Sequence, residues 1–383
     1  VDTQLLKQAF PRFDLVEQLA NQHKFFHWTL QFADVFAGEP QAGEANQAHD
    51  GGFDLMLGNP PWLLVGWNSS AVLGDFEPQL ILRKFSANKA GQLRDGIFEQ
   101  NPAVKSAWLA EYEQSAGTQN FIGDISNYPL LQGQKANLYK CFLPQAWSNT
   151  SAQGVSGFLH PEGVYDDPSA GELRKAIYPR LRAHFQFHNE MSLFSEVHHA
   201  TTYSINVYGA NHAALSFNHI ANLFTPATID VCFAHNGQGE VTGLKEEIVT
   251  ASGAVSSIWN TQGHKDRVIQ VTEKELALFA QLYDEAGTEP LAARLPALHA
   301  QQLLAVLEKF AAQPQRLGDL QGEYFATYMF DETAAQREKI IRRETSFPAD
   351  ASQWVLSGPH FFVGNPFYKT PREECTLNSH YDG

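Results

Sequence analysis

The chain has 383 residues, of which 43% are hydrophobic, and carries a formal net charge of -15. This length and apolar content allow at least two cores, and a mean hydropathy of -0.30 with no apolar run of spanning length argues against a membrane protein. Cys141, Cys232 and Cys375 are odd in number and far apart, with no metal-ligand spacing, so neither a disulfide framework nor a zinc site is expected. The acidic balance also predicts weak non-specific attraction to phosphates. A nucleic-acid partner would therefore need basic residues gathered along one cleft.

In chain order, the pattern predicts alternating strands and helices, an α/β fold with a parallel sheet covered on both faces. Strands are expected at Trp28 to Phe32, Phe53 to Leu57, Val155 to His160, His184 to Phe187 and Thr201 to Tyr208. The second of these runs directly into Gly58-Asn59-Pro60-Pro61-Trp62. In open α/β sheets the carboxyl end of a strand is where ligands bind. The Asn59 side-chain oxygen and a neighbouring backbone carbonyl can accept hydrogen bonds from an amine. Two consecutive prolines fix φ and stiffen the loop that carries these acceptors. Trp62 offers a flat face for an extruded base. The tetrad therefore suits chemistry on the exocyclic amino group of a base, whose lone pair is delocalised and whose nitrogen must be held and polarised. The same residues are also a common way to end a strand, with Trp62 as an ordinary core aromatic.

From Ser69 to Gln134, a partly helical insertion or lid is expected after the tetrad, rich in aromatics such as Trp108, Tyr112, Phe121 and Tyr128. A helix is expected from Ser169 towards Phe185, bent or interrupted at Pro179, with Leu173, Ile177 and Leu181 in the core. His160-Pro161-Glu162-Gly163 closes a strand, as a turn or as part of a cleft wall. The adjacent His198 and His199 precede a strand and are not expected to form a metal site, since two neighbours cannot easily face one ion. Beyond Ala210, shorter strand-like runs are expected at Leu215 to Leu223 and Ala227 to Ala234. Helices are expected at Glu273 to Tyr283 and at Ala293 to Ala312, the latter interrupted by Pro296. The clearest basic cluster is Arg337, Lys339, Arg342 and Arg343, followed by Lys369 and Arg372. A solvated helix face over Gln336 to Arg343 explains the first four equally well.

The tetrad Asn59 to Trp62, together with Phe26 to Phe36, Asn137 to Phe142, the strand around Gly154 to His160 and Thr201 to Tyr208, resembles the class I amino-methyltransferases of DNA. The likeness is greatest to adenine-N6 enzymes of the gamma-type motif order, of the kind fused to or partnered with restriction-modification or phage-defence systems. That resemblance implies a partial Rossmann-like methyltransferase sheet over residues 1–210, with the insertion at about 69–134. A mixed α+β extension over 211–315 and the start of a target-recognition domain over 316–383 would follow. It also implies S-adenosylmethionine as cofactor, touched by the acidic turn Asp34, Val35 and Phe36, with double-stranded DNA as partner. Asn59, Pro60, Pro61 and Trp62 would be catalytic, acting on adenine N6 of a flipped base in a bacterial, cytoplasmic setting. An initial Asn favours adenine over cytosine N4. The family's glycine-rich cofactor loop is missing from residues 1 to 58, so the chain is expected to be a piece of a larger enzyme that holds the acceptor-base half of the site. The alternatives are a non-catalytic DNA-recognition or scaffold fragment, and the methylase half of a fused restriction endonuclease. No Pro-Asp and Glu-x-Lys nuclease constellation occurs, which places any DNA cleavage outside these residues.

Overall fold

The computed structural model describes residues 7–37, 51–83, 85, 87–135, 137–249, 255–313, 317–320, 322, 331–342 and 350. The chain divides into two compact units, Val1–Pro314 and Gln315–Gly383.

The first unit begins with three helices, α1 (Arg12–His23), α2 (Trp28–Gln31) and α3 (Ala33–Ala37), and continues into strand β1 (Phe53–Gly58). Helices α4 (Ser69–Gly74), α5 (Gln79–Leu82), α6 (Ala87–Gln100) and α7 (Pro102–Gly123) fill the insertion. Next come α8 (Leu138–Asn149), β2 (Thr150–Pro161), α9 (Gly163–Asp166), α10 (Gly171–Ile177), β3 (Leu181–His188), β4 (Thr202–Tyr208), β5 (Ser216–Leu223) and α11 (Ala227–Ala234). The unit closes with β6 (Lys245–Val249), β7 (Val255–Trp259), β8 (Ile269–Thr272), α12 (Glu273–Tyr283) and α13 (Gln302–Ala311).

Six strands form one sheet in the order β1-β2-β4-β3-β5-β8, and β6 and β7 pair as a separate antiparallel hairpin. β1 is parallel to β2 and β3 to β5, whereas β4 is antiparallel to both its neighbours and β8 to β5. Four strands thus run one way, and β4 and β8 are reversed. The sheet is mixed rather than wholly parallel, because β3 returns directly as β4, which inserts between β2 and β3. β5 and β8 belong to the same sheet as β1, so the region beyond Ala210 extends it.

Both faces of the sheet are covered, as parallel strands require. Along β4 and β5, residues an odd number apart point to opposite faces. Tyr208 and Phe217 join a cluster with Leu143 of α8, Leu173 and Ile177 of α10, and Leu276 and Phe279 of α12. Tyr203 and Ile220 join a second cluster with Phe187 and Cys232 of α11. Leu173, Ile177 and Leu181 are fully buried, as the sequence predicts.

Four expectations need correction. Trp28 to Phe32 is helical, not a strand: Phe32 N–H donates to the Trp28 carbonyl at 2.9 Å, and the two rings stack one turn apart at 5.8 Å. Both rings then pack edge-on against Phe53. Ala227 to Ala234 is also a helix. Pro226 cannot donate to a ladder, and Thr228 and Cys232, four residues apart, are both buried on its inner side. The helix from Ser169 shortens to a 3-10 turn and α10 because Pro179 stops it before β3. Residues 293–301 form a buried strap rather than a helix: Arg174 takes the carbonyl of Ala292 and Tyr178 that of Ala293, and helix begins only at Gln302, past Pro296.

In the second unit, a 3-10 turn spans Leu317–Leu320 and a short helix, α14, spans Glu332–Arg337, with the Asp331 carboxylate accepting from Ala334 N–H. The helix ends at Arg337, and Lys339 takes a positive φ of 62°. A continuous helix face over Gln336 to Arg343 is therefore not formed. Arg343, Lys369, Arg372, Cys375 and most of the expected target-recognition segment lie outside the described residues.

Candidate active site at the carboxyl end of β1

β1 is one of the two edge strands of the six-stranded sheet, β8 being the other. Its entry needs a glycine: Gly52 has φ +146°, and a Cβ there would sit 2.7 Å from the backbone nitrogen of Ser151. At its exit, Asn59 and Pro61 are exposed and Pro60 is buried. The following segment is held from several sides. Leu138 N–H donates to the Leu63 carbonyl at 2.9 Å, Leu64 bridges to Asn137, and the Gln119 amide of α7 donates to the Val65 carbonyl at 3.2 Å. Trp62 donates through Nε1 to the Leu159 carbonyl on β2 at 3.3 Å. Two prolines and four anchors make this loop part of the scaffold rather than a free connection. Among the described residues, none hydrogen-bonds to the Asn59 side chain, which leaves its oxygen available to an incoming donor.

The tetrad divides between two environments. Asn59, Pro60 and Pro61 line a cavity of about 710 Å³ that also takes in Trp28, Phe53, Phe121, Tyr128 and Phe142. Leu55, Met56 and Leu57 all face it although successive residues point to opposite sides, so the cavity wraps around the open edge of β1. Trp62 reaches the other face of the sheet. There it lies 5.6 Å from the Tyr203 ring and 5.9 Å, edge to face, from Phe194, while Tyr203 stacks flat on Phe187. The Tyr203 hydroxyl is buried and has no hydrogen-bond partner among the described residues.

The expected cofactor turn is placed less centrally. Asp34, Val35 and Phe36 lie on α3 and none of them lines the cavity. The Val35 carbonyl accepts from Gly52 N–H at 3.2 Å, and Phe36 packs edge-on against Phe53, which does line it. The cavity, with its aromatic lining, suits the flat adenine ring of S-adenosylmethionine. No Asp, Glu, Lys or Arg lines it, so these residues provide no ion-pair partner for the methionine end.

His160 and Glu162 are not in the cleft wall. Both are buried at the end of β2 in a polar network: His160 Nε2 meets the Tyr208 hydroxyl at 2.9 Å, Glu162 meets His184 at 3.1 Å, and His184 Nδ1 lies 2.8 Å from His219 Nδ1. Burial pushes the His160 imidazole down to about 4, and it also lowers His219. Burial works to raise Glu162, but the hydrogen bonds and charges of His184, with Ser204, prevail and hold its carboxyl below the usual range.

In the loop after β3, the His199 Nδ1 lies 3.2 Å from Glu190 and His198 accepts from Ala200 N–H. It is Phe194, a few residues earlier, that this loop brings to Trp62. Phe194 and Tyr203 escape a sequence reading because an isolated aromatic in a loop and one in a strand carry no local signal of meeting a tryptophan more than a hundred residues away. Among the described residues, no group of His, Cys, Asp and Glu is placed to hold a metal ion, and no helix is long and apolar enough to cross a membrane.

No protein-family model and no curated protein matches the chain. Among solved structures it is similar to a type I restriction-modification methyltransferase subunit from Streptococcus thermophilus, with TM-score 0.27, 14% identity, and coverage of 51% of this chain and 33% of that one. It is likewise similar to the M protein of the type I restriction enzyme EcoKI, with TM-score 0.25, 11% identity and coverage of 50% and 49%. A modification subunit of a putative type I restriction enzyme from Vibrio vulnificus gives TM-score 0.25, 9% identity and coverage of 45% and 34%. The chain spans between a third and a half of the length of these proteins.

Proposed function

We propose that this chain carries the acceptor-base half of a DNA amino-methyltransferase, which methylates adenine N6 in a restriction-modification or phage-defence setting. The observation that carries this reading is the placement of the tetrad. Asn59 stands unpaired between an aromatic-lined cavity on one side of β1 and the Trp62 cluster on the other.

In this reading an adenine extruded from the duplex lies against Trp62, and Phe194 bounds the same space. The Asn59 oxygen and the Pro60 carbonyl accept the two N6 hydrogens, which shifts electron density onto the nitrogen and orients its lone pair. The prolines keep both acceptors in place, so no reorganisation is needed at the moment of transfer. The amine needs no prior deprotonation, and its proton leaves with or after transfer. S-adenosylmethionine, when bound, supplies the electrophilic methyl group. Trp28, Phe121, Tyr128 and Phe142 would hold its nucleoside, with Asp34, Val35 and Phe36 completing that side at the start of β1. The acidic whole-chain charge leaves attraction to duplex DNA to local basic residues and to any further part of the protein.

The test is methylation of DNA by the protein with S-adenosylmethionine, wild type against Asn59→Ala, with modified bases identified by mass spectrometry. Because Asn59 is exposed and has no hydrogen-bond partner among the described residues, the variant should keep the wild-type melting temperature and lose about 100-fold or more in methylation rate. Wild-type levels of N6-methyladenine from the variant would overturn the reading, and N4-methylcytosine as product would reassign the base.

A further inference from the structure

Asn189 follows β3 directly and is fully buried, yet its side chain packs no hydrophobic core. It is engaged by the loop that follows. Nδ2 donates to the carbonyls of Phe194 at 2.8 Å and Val197 at 2.7 Å, and Oδ1 accepts from Phe194 N–H at 3.0 Å. Asn189's own N–H donates to the Thr201 carbonyl at 3.1 Å, which closes the loop at its far end. The other bonds that shape residues 191–200 are local turns and a contact between the exposed His199 and Glu190, only Phe194 and Val197 are even half-buried, and Ser192 sits at a φ of 51°. The pattern requires an amide. Three bonds need two donated hydrogens and one acceptor on a single short side chain, and aspartate would instead set a carboxylate against two carbonyl oxygens.

The product of this geometry is the position of one ring. Phe194 is the loop residue whose backbone Asn189 grips at both N–H and C=O, and its ring is the one that stands edge-on to Trp62 and Tyr203. We infer that Asn189 is a positioning residue for the base-binding wall, fixing the loop so that Phe194 stands against Trp62. The inference rests on the reading of this site as the place of an extruded base. Asn189 acts only through Phe194 and touches neither substrate nor cofactor.

The experiment uses the full chain and four variants: Asn189→Ala, Asn189→Asp, Phe194→Ala and the Asn189→Ala, Phe194→Ala double variant. Methyl transfer from labelled S-adenosylmethionine to mixed-sequence genomic DNA is measured as kcat and KM, alongside backbone hydrogen exchange. Asn189→Ala should lower kcat by about ten-fold or more, because a small misplacement of a positioning group is enough to do so, with KM for DNA within about two-fold. The double variant should be no worse than the poorer single one, the mark of two residues acting as a unit. Exchange should quicken at 192–200 and stay unchanged in the sheet. Asn189→Asp should regain part of its loss as pH is lowered and its carboxyl again carries a hydrogen to donate, which Asn189→Ala cannot do. Additive losses, or unchanged loop exchange in Asn189→Ala, would overturn the inference. If the wild-type chain transfers methyl to no base even when supplied with the methyl-donor half of the enzyme, the methyltransferase reading falls, and the exchange result alone still decides whether Asn189 holds Phe194.

Discussion

β4 and β1 belong to one sheet and are built to opposite ends. β4 is paired on both sides, and Tyr203, Ser204, Asn206 and Tyr208 along it are buried. β1 is paired on one side only, with Leu55 58% and Leu57 73% exposed, and it is β1 that delivers the tetrad. Along β4 the side chains of Ser204, Asn206 and Tyr208 are locked into hydrogen bonds, and the Tyr203 hydroxyl has no partner among the described residues. At the end of β1 the most chemically suggestive side chain, Asn59, has no hydrogen-bond partner among the described residues. Stability is therefore concentrated in the interior strands, and the rim that carries the site can be altered without unfolding the protein. A loss of activity from a rim substitution is then a statement about chemistry rather than about folding.

The sharpest way to break this contrast is to remove side chains from the two places and compare. Arg174 is buried without a carboxylate partner within bonding distance. Instead it donates to the carbonyls of Ala292, Val164 and Asp167, and so ties α9, α10 and the 293–301 strap together. Arg174→Ala leaves these carbonyls without donors around a void, and the expected loss is about 3–5 kcal/mol in urea unfolding. Leu57→Ser, in the same sheet but at the open edge, should change stability by no more than about 0.5 kcal/mol. Equal losses from the two would mean that the edge stabilises the fold as strongly as the interior does.

The same division explains what could be read from the sequence. The strands at Phe53, Val155, His184, Thr201 and Leu215 were legible because short runs rich in apolar and aromatic residues come to a clear stop. The helix at Glu273 was legible because Leu276, Phe279 and Leu282 recur on one face, and the structure adds a capping box between Thr272 and Glu275 at its start. Trp28 to Phe32 and Ala227 to Ala234 misled because aromatic and β-branched residues favour strands only where a neighbouring strand is there to pair, and tertiary position overrode propensity. At the site, Asn59 to Trp62 stood out because its residues are consecutive. Phe194, Tyr203 and Asn189 did not, since their meaning lies in contacts made across the sheet and the loop.

A second test reads the interior through pH. His160 is held neutral, with its proton affinity lowered from 6.5 to about 4. Between those pH values the unfolded chain binds a proton that the folded chain refuses, so stability falls as pH falls. Glu162 acts in the same direction at lower pH, because its carboxylate is favoured in the fold and must be protonated as acid is added. Asp166, whose carboxyl is raised to about 6 by partial burial and by the nearby charge of Glu162, works against this trend, and the exposure of the rest of the residue to solvent weakens its opposition. His160 alone is expected to contribute a loss approaching about 3 kcal/mol between pH 6.5 and pH 4, His219, also lowered by burial, adds to it, and the profile should be flatter in His160→Asn. A urea midpoint independent of pH across this window would mean that the buried network is wetter than its burial implies.

The smallest expected effect comes from Tyr203, where the two regions meet. Its ring belongs to the interior, stacked on Phe187, but its hydroxyl lies on the Trp62 side and is bonded to nothing among the described residues. Removing a polar atom costs stability in proportion to the partners it abandons, which is why Arg174 should matter so much. Tyr203→Phe abandons none, so its stability should stay within about 0.5 kcal/mol of wild type, with any change favourable. A loss of more than about 1 kcal/mol would show that the hydroxyl has a bonded partner such as an ordered water. The Trp62 side of the sheet would then be a satisfied interior like the rest of β4, and not an opening kept for a base.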